Sequence, residues 1–400
     1  MFKKSYRSNI GLLAGVEFFG FFGIVSFWLL FLHQNGMSLL QIGLLESIFH
    51  ATSVLFEIPS GLLADRFSYK SNLYLSRLAS ILSCILMLAG QGNFWIYALA
   101  MIPNALAYNF DSGTATAMLY DSAVEGGLKE HFLKISSFIS GVAEATISLG
   151  TVLAGFFVHG YLHVTYYIMI GLSLLVMLLI SFLKEPQRQH QKAEVLTMGK
   201  IIGTVRQEFK NRPSLFVWMI IFQIVGVLMC MFYFYYQKEL PELAGWQISA
   251  VILAGSGLNI LAVALASRIG KSWPSLKLFP LLAAATGAVF ILSMLGTPLV
   301  YILVYLLSNT LYALYQPVFS NDLQEYLPSP VRATMLSVNS MLFSLSMIVI
   351  FPITGWLIDS LGFRMTFISL GVFLLLLTPF LQQALKRVAR GLRHSPEKIS

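Results

Sequence analysis

Five carboxylates sit inside long apolar stretches of this sequence: Glu17, Glu46, Glu57, Asp111 and Glu144. An ionisable side chain in hydrocarbon costs at least about 2.5–3.5 kcal/mol, so each is a functional candidate by default. At about 100° per residue in a helix, Glu46, His50, Ser53 and Glu57 fall within about 60° of one another and form one polar stripe. Asn104, Tyr108, Asp111 and Ala115 share a second face, and Glu144, Ser148, Thr151 and Gly155 a third. Desolvation and nearby like charge both favour the neutral form of a carboxyl. Such groups can load a proton on one side of a membrane and release it on the other, or hold a cationic substrate. Glu17, Asp111 and Glu144 are the candidates for that work. Glu57, close before Pro59 and Gly61, reads as a structural or pairing group near an inner gate, and Glu46 with His50 as lining an outer vestibule. Neither H-E-x-x-H nor any His/Cys/carboxylate ligand cluster occurs, so no enzyme active site, metal or cofactor is expected.

The elements that carry these residues are membrane spans. The chain has 400 residues, 57% hydrophobic and 11% charged, with mean hydropathy +0.75. A soluble domain has about 25% charged residues. A bilayer core of about 30 Å needs about 20 apolar residues per helix. Apolar runs between charged or Pro/Gly breaks predict twelve spans, near 10–33, 40–64, 72–91, 95–119, 134–159, 162–184, 214–237, 247–267, 276–294, 299–321, 333–358 and 362–385. Barrel strands would alternate apolar and polar residues, and these runs do not. The expected fold class is an all-α membrane protein. Residues 1–9 carry Lys3, Lys4 and Arg7, but the first run is too long and lacks the A-x-A exit of a cleaved signal.

Basic residues set the orientation. With both termini cytoplasmic, 24 of the 26 Lys and Arg fall in cytoplasmic segments or at inner helix ends; only Lys238 and Arg364 do not. Arg77 is counted here with the inner end of span three. The +8 charge is therefore topological bias, and no basic soluble domain exists to bind nucleic acid. Cys84 and Cys230 lie inside spans and read as core thiols.

The longest polar stretch, 185–212, reads as a cytoplasmic linker with an amphipathic portion, dividing a six-span bundle at 1–184 from another at 213–400. The two halves match at an offset near 200. Leu63-Ala64-Asp65-Arg66 pairs with Leu265-Ala266-Ser267-Arg268, Asp121 with Asp322, and Gly155 with Gly355. Parallel repeats with a site between them are transporter architecture.

Residues 61–70, Gly-Leu-Leu-Ala-Asp-Arg-Phe-Ser-Tyr-Lys, resemble the loop motif G-x-L-A-D-R-x-G-R-K between spans two and three of the major facilitator superfamily, with Ser68 and Tyr69 in place of Gly and Arg. A degenerate copy stands at Ser267-Arg268-Ile269-Gly270-Lys271. Gly141, Gly150 and Gly155 keep the spacing of the span-five antiporter motif G-x8-G-P-x3-G, with Thr151 at the proline. The sequence thus resembles the drug–proton antiporters of that superfamily. It departs from them in having no Lys or Arg between Arg77 and Lys129, where a span-four arginine is expected. The resemblance implies a gating loop of Gly61, Asp65, Arg66 and Lys70. Asp121 would pair with Arg66, and Asp65 would accept from the start of span eleven near Arg332.

The second half offers neutral groups: Asn309, Tyr312, Gln316 and Asn339 are candidates for a cavity wall, with helix packing as the alternative for each. No Lys or Arg is expected deep in a span, which disfavours anionic substrates. The function expected is a monomeric secondary transporter of the plasma membrane, in bacteria the inner membrane, exporting small hydrophobic or cationic compounds against protons. Uptake of a neutral nutrient or flipping of a lipid-linked molecule is the alternative, and a membrane-embedded enzyme or a transport-dead sensor the remote one. Asp65→Asn is expected to slow transport while leaving folded protein in the membrane. Unchanged turnover in vesicles would remove Asp65 from gating.

Overall fold

The computed structural model describes residues 5–66, 68–111, 113–186, 198–327 and 331–393, and for 58–66, 198–202, 333 and 393 the backbone alone. These residues form fifteen α-helices: α1 Tyr6–Gly20, α2 Trp28–Gln34, α3 Leu39–Arg66, α4 Tyr69–Ala89, α5 Phe94–Asp111, α6 Thr114–Glu125, α7 Phe132–Ala154, α8 Leu162–Phe182, α9 Met198–Asn211, α10 Pro213–Tyr235, α11 Gly245–Ser272, α12 Ser275–Ile291, α13 Pro298–Tyr326, α14 Arg332–Leu361 and α15 Phe363–Arg393. Short 3-10 turns join several of them, and no strand occurs among the described residues. Among the described residues, eleven helical segments are long and apolar enough to cross a membrane. The span expected at 95–119 is not among them; α5 ends there at Asp111 and α6 begins at Thr114, after Gly113 in a left-handed conformation (φ 79°).

The span expected at 10–33 is also divided. α1 stops at Gly20, a 3-10 turn covers Gly23–Val25, and α2 resumes at Trp28. The interruption is held by α7. A Cβ on Gly23 would strike the Ile147 carbonyl, and one on Gly150 would lie 2.9 Å from Gly23 Cα. Thr151, at the motif's proline position, donates to the Ile147 carbonyl at 2.8 Å, and its hydroxyl meets that of Ser26 at 2.8 Å.

The chain divides into two compact units. The first is 1–37, 44–193 and 243–252; the second is 38–43, 194–242 and 253–400. In the first unit α4 packs on α5 and α8, and the α1 segment on α6, α7 and α8. In the second, α12 packs on α13 and α15, and α10 on α13, α14 and α15. The same pattern recurs at equivalent positions, as a parallel repeat requires.

The paired residues behave alike too. Gly155 receives the first turn of α11, with Ser249 Oγ 3.0 Å from where its Cβ would be. Gly355 receives the first turn of α3, where a Cβ would lie 2.6 Å from the Leu39 carbonyl carbon. Ser249 donates to the Val152 carbonyl at 2.8 Å, and Asp359 accepts from the Leu39 and Leu40 N–H groups at 3.2 and 2.8 Å. The carboxylate thereby satisfies two of the free donors at the start of α3. Asp121 and Asp322 both hold the first residue of the helix beside them, through the Tyr69 hydroxyl at 2.8 Å and the Ser275 N–H and hydroxyl, each at 2.6 Å.

Gly141 has no neighbouring atom within 4 Å of a Cβ. Close approach therefore belongs to Gly150 and Gly155, and Gly141 is spare. Gly150→Val is expected to cost about 1–3 kcal/mol by overpacking two backbones, seen as a lowered melting temperature in detergent. Gly141→Ala is expected to leave that temperature unchanged.

Candidate functional site

Arg77 lies nine residues into the 21-residue α4, and its guanidinium is buried. Its Nη2 meets Asp111 Oδ2 at 2.6 Å, with both side chains 7% exposed. This corrects the expectation that no cation lies deep in a span. Counting Arg77 with the inner end of span three overlooked how far α4 extends before it. The guanidinium is spoken for on several sides: Nη1 donates to the Gly20 carbonyl at 3.1 Å, and Nη2 also to Ser76 Oγ at 2.9 Å. Ser76 in turn donates to the Ala107 carbonyl at 2.8 Å. A guanidinium whose charge is matched and whose two terminal nitrogens both donate is an ion-pair partner, not an open receptor for anions.

The break in span one makes this possible. Because α1 ends at Gly20, its last carbonyls lack helical partners and present the negative end of the helix dipole, which suits a cation. Gly20 also leaves the room: a Cβ there would lie 2.9 Å from Arg77 Nη1.

Glu17, half-buried on the last turns of α1, is within electrostatic reach of both Arg77 and Asp111. It lines a cavity of about 110 Å³ with Thr116, Ser136 and Ser140 among its walls. Asp111 Oδ1 is buried and has no hydrogen-bond partner among the described residues. The Tyr108 phenol, one turn before Asp111, is in electrostatic reach of Asp111 and of Glu144. Glu144 itself is exposed on α7. Glu17, Asp111 and Glu144 are thus gathered around Arg77 and Tyr108.

The polar stripe of α3 reaches α5 beside Tyr108 through Ser53. Glu46 Oε1 and His50 Nε2 approach to 3.3 Å, and Ser53 exchanges two hydrogen bonds with Asn109, at 2.9 and 3.0 Å. Glu57 is half-buried on the same helix. Gly61, Asp65 and Arg66 fall in the last turns of α3, and their side chains lie outside the described residues. Lys70 donates to the Ser181 and Leu183 carbonyls at 3.2 and 3.0 Å, a cation closing the C-terminus of α8. Arg332 donates to the Leu327 carbonyl at 3.2 Å. Glu185, assigned by composition to the linker, accepts from the Tyr69 and Lys70 N–H groups at 2.6 and 3.2 Å and caps α4.

In the second unit Asn339 accepts from buried Gln223 at 2.8 Å, joining α14 to α10 as packing residues do. Tyr312 lies against Gly226, 3.7 Å from where a Cβ would be. Asn309 is half-buried and Gln316 exposed on α13. Tyrosines gather nearby: the Tyr233 and Tyr305 rings stack at 5.8 Å, and Tyr236 meets Tyr305 at 5.1 Å.

Residues 10–350 match the family model described as Major Facilitator Superfamily. The chain belongs to this superfamily. It is a multi-span membrane transporter of major facilitator type. It is 24% identical over 371 residues to the uncharacterized MFS-type transporter YxaM of Bacillus subtilis (strain 168), covering 87% of this chain and 88% of that one. The superfamily fold recurs in the nucleoside transporter NupG, with TM-score 0.76 at 13% identity and coverage of 95% and 99%. It recurs also in a bacterial homolog of the human lysosomal transporter Spinster, with TM-score 0.70 at 14% identity and coverage of 98% and 99%. A D-xylose–proton symporter matches with TM-score 0.67 at 14% identity, covering 93% of this chain and 95% of that one.

Within this superfamily member, Arg77 and Asp111 stand or fall together. Arg77→Gln is expected to cost roughly 3–5 kcal/mol by leaving a buried carboxylate unpaired. Adding Asp111→Asn is expected to restore much of that loss. Melting temperatures of the two single variants and the double variant test this, and additive losses would mean that the pair is not coupled.

Proposed function

We propose that this transporter is a proton-coupled exporter of small hydrophobic or cationic compounds, a drug–proton antiporter working as a monomer in the cell membrane. In this reading both termini are cytoplasmic and the twelve spans form six-helix bundles at 1–184 and 213–400, joined by the linker at 185–212. One observation carries the coupling: Glu17 is in electrostatic reach of Arg77 and Asp111. Two carboxylates against one guanidinium are neutral only when they hold one proton. A proton arriving on Asp111 frees the guanidinium to turn to Glu17. The same guanidinium holds the Gly20 carbonyl, so its movement acts on the break in span one. Charge and conformation are thereby linked, as alternating access requires. Glu144 and Tyr108 offer a second acid and a phenol toward which a cationic substrate is drawn.

Export draws its support from the span-five motif: Gly150 and Thr151 bear on the interruption of span one, beside the coupling group. The neutral Asn, Gln and Tyr side chains of the second half suit an amphipathic substrate. Proton-coupled uptake of a neutral nutrient uses the same acids and is the second reading. Its support is the fold shared with a nucleoside transporter and a D-xylose–proton symporter.

The test uses purified protein in liposomes loaded with a pH-sensitive dye. Under an imposed proton gradient, lipophilic cations and neutral aromatics are expected to trigger proton release. Glu17→Gln is expected to abolish that release while substrate binding persists, and Asp111→Asn with Glu144→Gln to abolish the pH response. Substrate-driven proton flux in the uptake direction would favour the second reading. An intact response in the Glu17 variant would remove Glu17 from the coupling path.

A further inference from the structure

Helix α9 lies at the end of the linker and leads directly into α10, separated from it by Arg212. Its exposed side carries Arg206, Phe209 and Lys210, three residues within about 100° on the helix. Phe209 is 52% exposed although its ring also meets Phe216 edge-on at 5.2 Å, so the aromatic is anchored at one edge and open at the other. Glu208, the acid of this helix, lies 3.9 Å from Arg212, which leaves Arg206 and Lys210 without a neutralising neighbour in α9.

A second basic face ends α15. Lys386, Arg387 and Arg390 are exposed there, while Leu381, Leu385 and Val388 are buried on the other side of the helix. No acid occurs between residues 380 and 393. The two faces belong to the same unit, and their helices both adjoin the start of α10. A Cβ on Gly391 would lie 2.9 Å from Ser214 Cβ, so the last turn of α15 presses on the first turn of α10, immediately after α9.

Positive-inside bias explains basic residues near span ends. It does not explain an exposed phenylalanine set between two of them on an amphipathic helix, or a second basic helix face whose last turn presses on the same start of α10. An apolar ring that sinks to the acyl boundary, with guanidinium and ammonium groups around it at headgroup level, is how a surface helix engages an anionic leaflet.

We infer that α9 and the end of α15 form one binding site for the phosphate headgroup of an anionic phospholipid, with Phe209 inserted beside the acyl chains. Arg206 and Lys210 hold the phosphate from one side and Lys386, Arg387 and Arg390 from the other. The bound lipid fixes α9 against α10 and so stiffens the entry to the second half.

Native mass spectrometry of the full-length protein, incubated with equal phosphatidylglycerol and phosphatidylcholine, tests this. Phosphatidylglycerol is expected to be retained selectively. Each charge removed in Arg206→Gln, Lys210→Gln or Lys386→Gln is expected to lower retention about fivefold. Lys238→Gln, remote in sequence from both helices, is expected to change nothing. Phe209→Ser, with every charge in place, is expected to lower retention as well. Equal retention of the two lipids would overturn the site. So would displacement of phosphatidylglycerol by inorganic phosphate at matched concentration, which would mark a free-anion site. Unchanged retention in Phe209→Ser would overturn the inserted aromatic and leave only diffuse attraction.

Discussion

The ion pair between Arg77 and Asp111 is the constraint around which the first half is arranged. A charge taken from water into a low-dielectric interior is tolerated only when it is matched and hydrogen-bonded on its remaining sides. Arg77 meets that demand with Asp111, Ser76 and the Gly20 carbonyl. Each partner imposes something further. The carbonyl is available only because α1 stops at Gly20, and Gly20 must lack a side chain for the guanidinium to fit. The interrupted chain then needs its own partners, which Gly150 and Thr151 of α7 supply. One buried cation thus accounts for a broken helix, two glycines and a threonine that would otherwise read as separate features.

The two units share a frame and differ in chemistry. Corresponding helices pack in corresponding ways, and Gly155 and Gly355 each leave space for the first turn of a helix from elsewhere in the chain. Asp121 and Asp322 each secure the start of a neighbouring helix, one through a tyrosine hydroxyl and the other through a backbone N–H and a serine. Yet the deep carboxylates and their arginine belong to the first unit alone among the described residues. The second unit instead holds uncharged packing groups such as Gln223 and Asn339 and a set of stacked tyrosines. A duplicated frame lets one half specialise in charge while the other keeps the same geometry with neutral surfaces, because helix packing depends on shape and charge depends on single residues.

Much of the frame was legible before any coordinates. Apolar runs of helical length pointed to the helical membrane fold, and paired residues at an offset near 200 pointed to helices that pack in corresponding ways. Glu17, Asp111 and Glu144 stood out because carboxylates are rare in such runs. The stripe through Glu46 and His50 followed from helical periodicity and is present as a contact at 3.3 Å. One thing was misjudged. Arg77 was counted with the inner end of span three, whereas it is buried nine residues into α4 against Asp111. A count of basic residues by segment cannot see a single charge compensated by another helix or a carbonyl freed by a break.

The sequence by itself determined that the chain is an all-helical membrane protein of long apolar segments and which acids lie within those segments. These are consequences of the cost of exposing polar groups to hydrocarbon, a cost each segment bears locally. Only the tertiary structure decided which cation compensates which acid. Arg77 and Asp111 are 34 positions apart on different helices, and Gly20 is 57 positions before Arg77. Their meeting depends on the distance and rotation of packed helices, which no periodicity within one helix encodes.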